Sequence, residues 1–248
     1  MFYQFEHIGN FRDLSGQIGA DGRAVRAGKM LRCGELYKAS DADLNRLRDE
    51  FHVKAVFDFR YAEERTFRPD REVPGAVNIS LPVLPTPPED EPPPDPKEPP
   101  QNLDRMFRQI YVEFGNEDCC TQAYRRFFRE VLALEGGSFL FHCRQGKDRT
   151  GVAALLLLTT LGVSLEAARE EFLLTNQGMR PKFEQMCAEK DESWHETFRS
   201  LMFVRDDFLQ ETLDGWQRRY GSLENYRRDG LGLTQSDIDR LRAWYLEP

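Results

Sequence analysis

A short apolar run, a compact polar segment and a long apolar run follow one another in residues 138–163. The first run, 138–141, predicts a buried strand that ends at His142, and a helix is predicted from Arg149 or Thr150 to about Gly162. The apolar stretch 152–163 spans about 12 residues, whereas a membrane span needs roughly 20. The pattern therefore predicts a strand, a tight loop and a helix buried inside a globular protein rather than a transmembrane segment.

Strand patterns alternate with helical patterns along the first 150 residues. Further strands are predicted at 29–33, 55–59 and around the alternating residues Val77, Ile79 and Leu81. Helical periodicity covers 41–50 behind a Ser40 cap, 107–114, 124–131 and a final segment behind Thr234-x-x-Asp237. The aromatic residues that repeat in 107–114 and 124–131 form stripes, which predict core-facing sides of these two helices. This order predicts an α/β fold with a central, largely parallel sheet flanked by helices and a helix-rich C-terminal half.

The 248 residues suit one domain, 1–248. Residues 82–100 hold ten of the 14 prolines and five acids, which predicts a Pro-rich acidic loop within that domain. The stretch 164–230 is predicted to be a helical insertion or lid.

Composition narrows the function classes. The net charge of −8 argues against a general nucleic-acid or anionic-membrane binder. Five cysteines without a Cys-x-x-Cys pair argue against structural zinc and favour reduced thiols in a cytoplasmic protein. No signal-peptide pattern appears in 1–10, and export without one stays open.

The polar segment between the predicted strand and helix can bind an anion. Backbone N–H groups of the loop and the helix N-terminus attract negative charge, and Gly146 allows close approach of a ligand. Cys143 at the mouth of this loop should have a lowered pKa and act as a nucleophile. Arg149 can hold two phosphoryl oxygens, and Thr150 can donate to the leaving thiolate.

A nucleotide-binding loop of the Walker type does not fit the same residues. Phe141 occupies the position of its first glycine, and Asp148 follows Lys147 where serine or threonine belongs.

The motif His142-Cys143-x-x-Gly146-x-x-Arg149-Thr150 resembles the signature of cysteine-dependent protein tyrosine phosphatases. Its fuller form, with Lys147, Asp148 and Gly151, resembles a bacterial and fungal branch that acts on phosphotyrosine, and in part on phosphoserine, phosphothreonine or phosphoinositides. The segment Asn10-Phe11-Arg12-Asp13-Leu14-x-Gly16 is similar to an element near the start of that family.

The resemblance implies a two-step reaction in which Cys143 attacks phosphorus and water hydrolyses the phosphocysteine. No metal or cofactor is required, and oxyanions such as phosphate or vanadate should inhibit. The substrate-binding residues would be those of the loop and the first helical turn: Arg144, Gln145, Gly146, Lys147 and Thr150. His142 is expected to orient the loop from a buried position.

The sequence does not decide which residue is the general acid. Asp148 inside the loop is the candidate from the family, Asp58 at the end of a neighbouring strand is the second, and Asp70 is a distant third. Asp58 could equally be a structural partner of Arg60 or Arg12.

Two other functions remain. A phytase or inositol-polyphosphate phosphatase would use Lys147 to bind further phosphates. A non-catalytic module that binds phosphoproteins would normally lack Cys143 or Arg149, and both are present.

Overall fold

The computed structural model describes residues 1–84 and 102–248. Its sheet has five strands in the order β1-β2-β5-β3-β4. The strands are β1 (Arg12–Asp13), β2 (Met30–Cys33), β3 (Ala55–Asp58), β4 (Val77–Ser80) and β5 (Phe139–His142). Only β1 pairs antiparallel, and the other neighbours are parallel. The predicted α/β fold with a largely parallel sheet is therefore confirmed.

Helices surround the sheet and make up most of the C-terminal half. They are α1 (Asp41–Asp49), α2 (Ala62–Phe67), α3 (Leu103–Asn116), α4 (Asp118–Ala133), α5 (Asp148–Thr160), α6 (Leu165–Leu173), α7 (Thr175–Ala188), α8 (His195–Met202), α9 (Asp206–Tyr220), α10 (Leu223–Asn225) and α11 (Gln235–Tyr245). A 3-10 turn at Glu192–Trp194 and a π-helical turn at Tyr226–Gly230 complete the helical part.

The caps predicted for the first and last helices are confirmed. Ser40 accepts from the Asp43 amide and Thr234 from the Asp237 amide, each within a capping box. A capping box satisfies two backbone donors that the first helical turn would leave unpaired.

Helix α2 was not predicted from the sequence. It has no buried residue, so its sequence shows no apolar periodicity.

Alternation along the central strands divides the core between the two faces of the sheet. Phe139 and Phe141 of β5 belong to the larger cluster, which includes α3, α4, α5 and α9. Leu140 belongs to the smaller cluster, with Leu44 and Leu47 of α1. Successive strand residues point to opposite faces, so covering both faces explains why β5 is apolar throughout.

The predicted Pro-rich loop at 82–100 falls almost entirely outside the described residues. Among the helices that the structure describes, none is long and apolar enough to cross a membrane.

Candidate active site

The loop between β5 and α5 places Cys143 at the carboxyl edge of the sheet. β5 lies between β2 and β3, and α5 begins at Asp148. The carboxyl ends of parallel strands meet at one edge, which is where such sheets bind ligands. The segments after β2 and β3 accordingly touch the loop: the Glu35 amide donates to the Arg144 carbonyl at 3.1 Å, and Arg149 donates to the Phe59 carbonyl at 3.3 Å.

The surroundings of Cys143 favour ionisation of its thiol. Burial alone would raise its pKa, but the charge of Arg149 and the polar groups of the neighbouring Thr150 outweigh burial and lower it. Cys143 and Thr150 are both buried, so water screens these interactions little. The site therefore favours a thiolate, the reactive form of cysteine.

The guanidinium of Arg149 is held by an acid that the sequence analysis did not identify. Its two terminal nitrogens donate to the two carboxylate oxygens of Glu64 at 2.6 and 2.9 Å, and it lies over the ring of Tyr61 at 5.0 Å. Burial opposes ionisation of Glu64, but Arg149 lowers its pKa. A bidentate pair fixes the plane of the guanidinium.

Gly146 adopts a conformation that few other residues tolerate. Its φ is +66°, and a Cβ at this position would overlap the carbonyl of Cys33. Glycine lacks both the Cβ and the penalty for positive φ. The close approach of β2 to the loop therefore depends on this residue.

The N-terminal motif and strand β2 hold the carbonyl groups of the loop. Asn10 Nδ2 donates to the carbonyls of Gln145 at 3.1 Å and Gly146 at 2.9 Å. Arg32 donates to the Gly146 carbonyl at 2.8 Å. With the carbonyls of the loop engaged on this side, its amides are free to point toward an anion on the other side.

A buried ion network stabilises these donors. Arg12 and Arg32 contact the two oxygens of Glu171 at 2.6 and 2.7 Å, and Arg12 also donates to the Asn10 side chain at 2.6 Å. Burial opposes the charge on Glu171, but the two arginines lower its pKa. Two guanidinium groups against one carboxylate leave an excess positive charge beneath the loop. The sequence offered one indication of Glu171, because this acid lies on the same buried face of α6 as the apolar residues Ala168 and Phe172.

Asp148 lies at the pocket and is held by α3. Tyr111 donates its hydroxyl to Asp148 Oδ1 at 2.7 Å, and Lys147 Nζ lies 3.5 Å from Oδ2. Lys147 is buried, with Nζ 4.3 Å from the centre of the Phe107 ring. The aromatic stripe in 107–114 predicts a core position for Tyr111 and Phe107 but not these contacts.

Asp58 occupies a separate ion cluster. It accepts from Arg60 at 2.9 to 3.1 Å, and Arg60 also contacts Asp70 at 2.6 Å. Burial opposes ionisation of Asp58, but the charges of His142 and Arg60 lower its pKa. Asp58 is therefore an ion-pair partner of Arg60, which is the structural role that the sequence left open for it. A metal ion at Asp58, Asp70 and His142 would have to compete with Arg60 for the same oxygens.

His142 is fully buried beneath the loop. Its Nδ1 lies 3.1 Å from the Cys143 carbonyl, and its Nε2 lies 3.2 Å from Asp70. Burial would lower its pKa, but Asp58 and Asp70 raise it to about 9. A protonated ring can donate to the carbonyl of the nucleophile from this position.

A pocket of about 260 Å³ opens above these groups. Arg144 is exposed at its rim, and its polar side carries Glu64, Cys143, Gln145, Lys147, Asp148 and Arg149. Its other walls are apolar or aromatic: Tyr61, Leu84, Phe107, Ile110, Phe114 and Leu201.

Comparison with known proteins identifies a matching family and several similar proteins. The model of a family described as the tyrosine phosphatase family matches residues 3–247. A Cupriavidus necator protein assigned to the tyrosine-protein phosphatases is 34% identical over 98% of this chain and 87% of its own length. The triple specificity protein phosphatase PtpB of Mycobacterium tuberculosis is 26% identical over 94% of this chain and 95% of its own length. Among solved structures, TpbA of P. aeruginosa superposes with a TM-score of 0.37 at 16% identity, covering 89% of this chain and 88% of TpbA.

Proposed function

The chain belongs to the tyrosine phosphatase family, and we propose that it hydrolyses phosphotyrosine through a phosphocysteine intermediate on Cys143. The observation that carries the proposal is the pocket in which Cys143 lies with Asp148 and Arg149 at the N-terminus of α5, where the charge of Arg149 lowers the pKa of the thiol. A thiolate at an anion-binding helix terminus is positioned to attack a bound phosphoryl group.

In the first step Cys143 Sγ attacks phosphorus, and the tyrosyl oxygen leaves with a proton from Asp148. The loop amides and Arg149 stabilise the charge on the transferring phosphoryl oxygens. In the second step Asp148 accepts a proton from water, which displaces the thiolate, and Thr150 stabilises that thiolate. Asp148 fits these steps better than Asp58, because Asp148 lines the pocket whereas Asp58 is bound to Arg60.

The walls of the pocket support an aryl phosphate as substrate. Phe107, Ile110, Phe114 and Leu201 provide apolar surface on which a phenyl ring can pack. An inositol polyphosphate would need cations for its further phosphates, but among the described residues that line the pocket Arg144 is the cation that remains besides Arg149 and Lys147. The pocket therefore favours phosphotyrosine over a phytase substrate.

Activity on phosphoserine, phosphothreonine and phosphoinositides is the broader form of the proposal. The name of the PtpB relative, a triple specificity phosphatase, supports it. Leu201 of α8 lines the pocket, which supports a covering role for the 164–230 helices within a single phosphatase domain, 1–248.

All five cysteines are free, which supports a reducing, cytoplasmic location.

The test is phosphate release by the purified protein near pH 6 from a phosphotyrosine peptide, a phosphoserine peptide, a phosphoinositide and inositol hexakisphosphate. Release from the phosphotyrosine peptide should be highest, should be inhibited by vanadate and should vanish in Cys143→Ser. Cys120→Ser, which removes a different buried thiol, is the matched control. Release from inositol hexakisphosphate alone would favour the phytase function, and phosphopeptide binding without any release would favour the non-catalytic module.

A further inference from the structure

We infer that Tyr111 is a positioning residue that fixes which oxygen of Asp148 carries the transferable proton. The inference rests on the proposed function, in which Asp148 is the general acid. It is carried by the hydrogen bond from the Tyr111 hydroxyl to Asp148 Oδ1 at 2.7 Å.

Tyr111 is a donor at every pH at which the enzyme can work. The residue is fully buried on α3. Burial and the charge of Asp148 raise the pKa of its phenol well above the usual value. The hydroxyl therefore keeps its proton, and Oδ1 of Asp148 always faces a donor.

A fixed donor at one carboxyl oxygen places the acidic proton on the other. When Asp148 is protonated, the oxygen that accepts from Tyr111 acts as the carbonyl oxygen, and the hydroxyl proton is on Oδ2. During the first step the Cys143 Sγ–P bond forms and the bond from phosphorus to the tyrosyl oxygen breaks. The proton on Oδ2 moves to that oxygen, and Asp148 becomes a carboxylate.

Lys147 faces the other carboxyl oxygen and has no better partner before substrate binds. Within residues 1–84 and 102–248, its buried Nζ has no hydrogen-bond acceptor, and its charged neighbour is Asp148 Oδ2 at 3.5 Å. The phosphoryl group of a substrate would offer Nζ a stronger acceptor. Lys147 can then turn to the phosphate, and Oδ2 can carry the proton.

The ring of Tyr111 also has a structural role, which the test must separate from that of the hydroxyl. The ring packs against Phe114 and Phe208, and the Tyr111 carbonyl accepts from Thr212 at 2.7 Å. Tyr111→Phe keeps the ring and the carbonyl and removes only the donor to Asp148.

The experiment compares two aryl phosphates whose phenols differ in acidity, phenyl phosphate and 2,4-dinitrophenyl phosphate. Tyr111→Phe should lower kcat/KM for phenyl phosphate roughly tenfold, because its leaving group needs the proton, but less than about twofold for the dinitrophenyl ester. Asp148→Asn should show the same dependence on the leaving group more strongly. In the Asp148→Asn background, Tyr111→Phe should have no further effect. Tyr245→Phe removes another buried hydroxyl, which donates to the Gly137 carbonyl away from the pocket, and should change neither substrate.

Equal losses on both esters, or additive losses in the double variant, would overturn the inference and leave Tyr111 a core residue. If Asp148→Asn depends on the leaving group but Tyr111→Phe does not, the inference fails and the proposed function stands. If Asp148→Asn shows no such dependence, the assignment of the acid in the proposed function fails, and the inference fails with it.

Discussion

At the residue scale, Arg149 connects the nucleophile to the rest of the pocket. It forms a bidentate pair with Glu64 and is the main charge that lowers the pKa of Cys143. Glu64 comes from a short helix after β3, whereas Cys143 and Arg149 come from the loop after β5 and its helix. The reactivity of the thiol thus depends on a contact between residues that are 85 positions apart in the sequence.

We predict that Arg149→Leu raises the pKa of Cys143 and lowers kcat/KM by roughly 10²–10³-fold, because the stabilising charge is lost in both the thiolate and the transition state. The pH dependence of alkylation of Cys143 by iodoacetamide measures the first effect. Arg144→Leu, an exposed arginine in the same loop, is the control for the pKa. An unchanged pKa in Arg149→Leu would contradict the role given to Arg149.

We predict that Asp58→Asn affects stability more than it affects the chemical step. Removal of the carboxylate leaves Arg60 with fewer acceptors in a buried site, so the free energy of unfolding should fall by about 1–3 kcal/mol. Urea denaturation measures this change, and the leaving-group dependence of kcat/KM should stay as in the unaltered protein. A loss confined to phenyl phosphate, as expected for Asp148→Asn, would make Asp58 the general acid instead.

At the scale of elements, the catalytic loop depends on strands that carry no reacting group. β2 approaches so closely that Gly146 has no room for a side chain, and Arg32 of β2 and Asn10 hold the loop carbonyls. The N-terminal motif, found by resemblance, has a physical role in these hydrogen bonds. We conclude that it supports the loop rather than contacting substrate.

We predict that Gly146→Ala lowers kcat/KM by at least about 100-fold, because the new Cβ displaces the loop from the Cys33 carbonyl and misaligns its amides. Gly22→Ala is a matched control, since Gly22 also has a positive φ but has open space around it. The comparison uses phosphotyrosine-peptide hydrolysis and inhibition by phosphate. Similar effects of the two substitutions would show that strain, not the close contact, is responsible.

At the scale of the whole molecule, a buried charged cluster links the site to folding stability. His142 has a pKa of about 9 in the folded protein against an ordinary value of 6.5, because Asp58 and Asp70 outweigh the effect of burial. A raised pKa means that the folded state binds more protons than the unfolded state between these values. The stabilisation is therefore complete below about pH 6.5 and is lost as the pH rises to about 9.

We predict that the free energy of unfolding falls between pH 6.5 and 9 by up to about 3 kcal/mol. The measurement is urea denaturation in the Cys143→Ser variant, because the lowered pKa of Cys143 would give a trend of opposite sign. His142→Asn should flatten the profile, and His7→Asn, at an exposed position, should not. Stability that rises over this range would contradict a protonated His142.

The periodicity of the sequence predicted much of the fold, but it could not predict contacts between residues that are distant in the chain. The apolar runs of β3 and β5, the aromatic stripes of α3 and α4 and the two capping boxes are local patterns, and the structure contains each of them. Helix α2 has no buried face, and Glu64 on it became meaningful only through Arg149. Likewise, the aromatic stripe placed Tyr111 in the core, but its hydrogen bond to Asp148 joins residues 37 positions apart.

The most direct test of the proposed mechanism is to trap the phosphoenzyme. The protein is mixed with a phosphotyrosine peptide, quenched in acid within milliseconds and digested for mass spectrometry. We predict one phosphoryl group on the peptide that contains Cys143, formed and lost at rates consistent with turnover, and no phosphate release by Cys143→Ser. Turnover without a phosphorylated Cys143, or phosphate release by Cys143→Ser, would contradict the proposed mechanism.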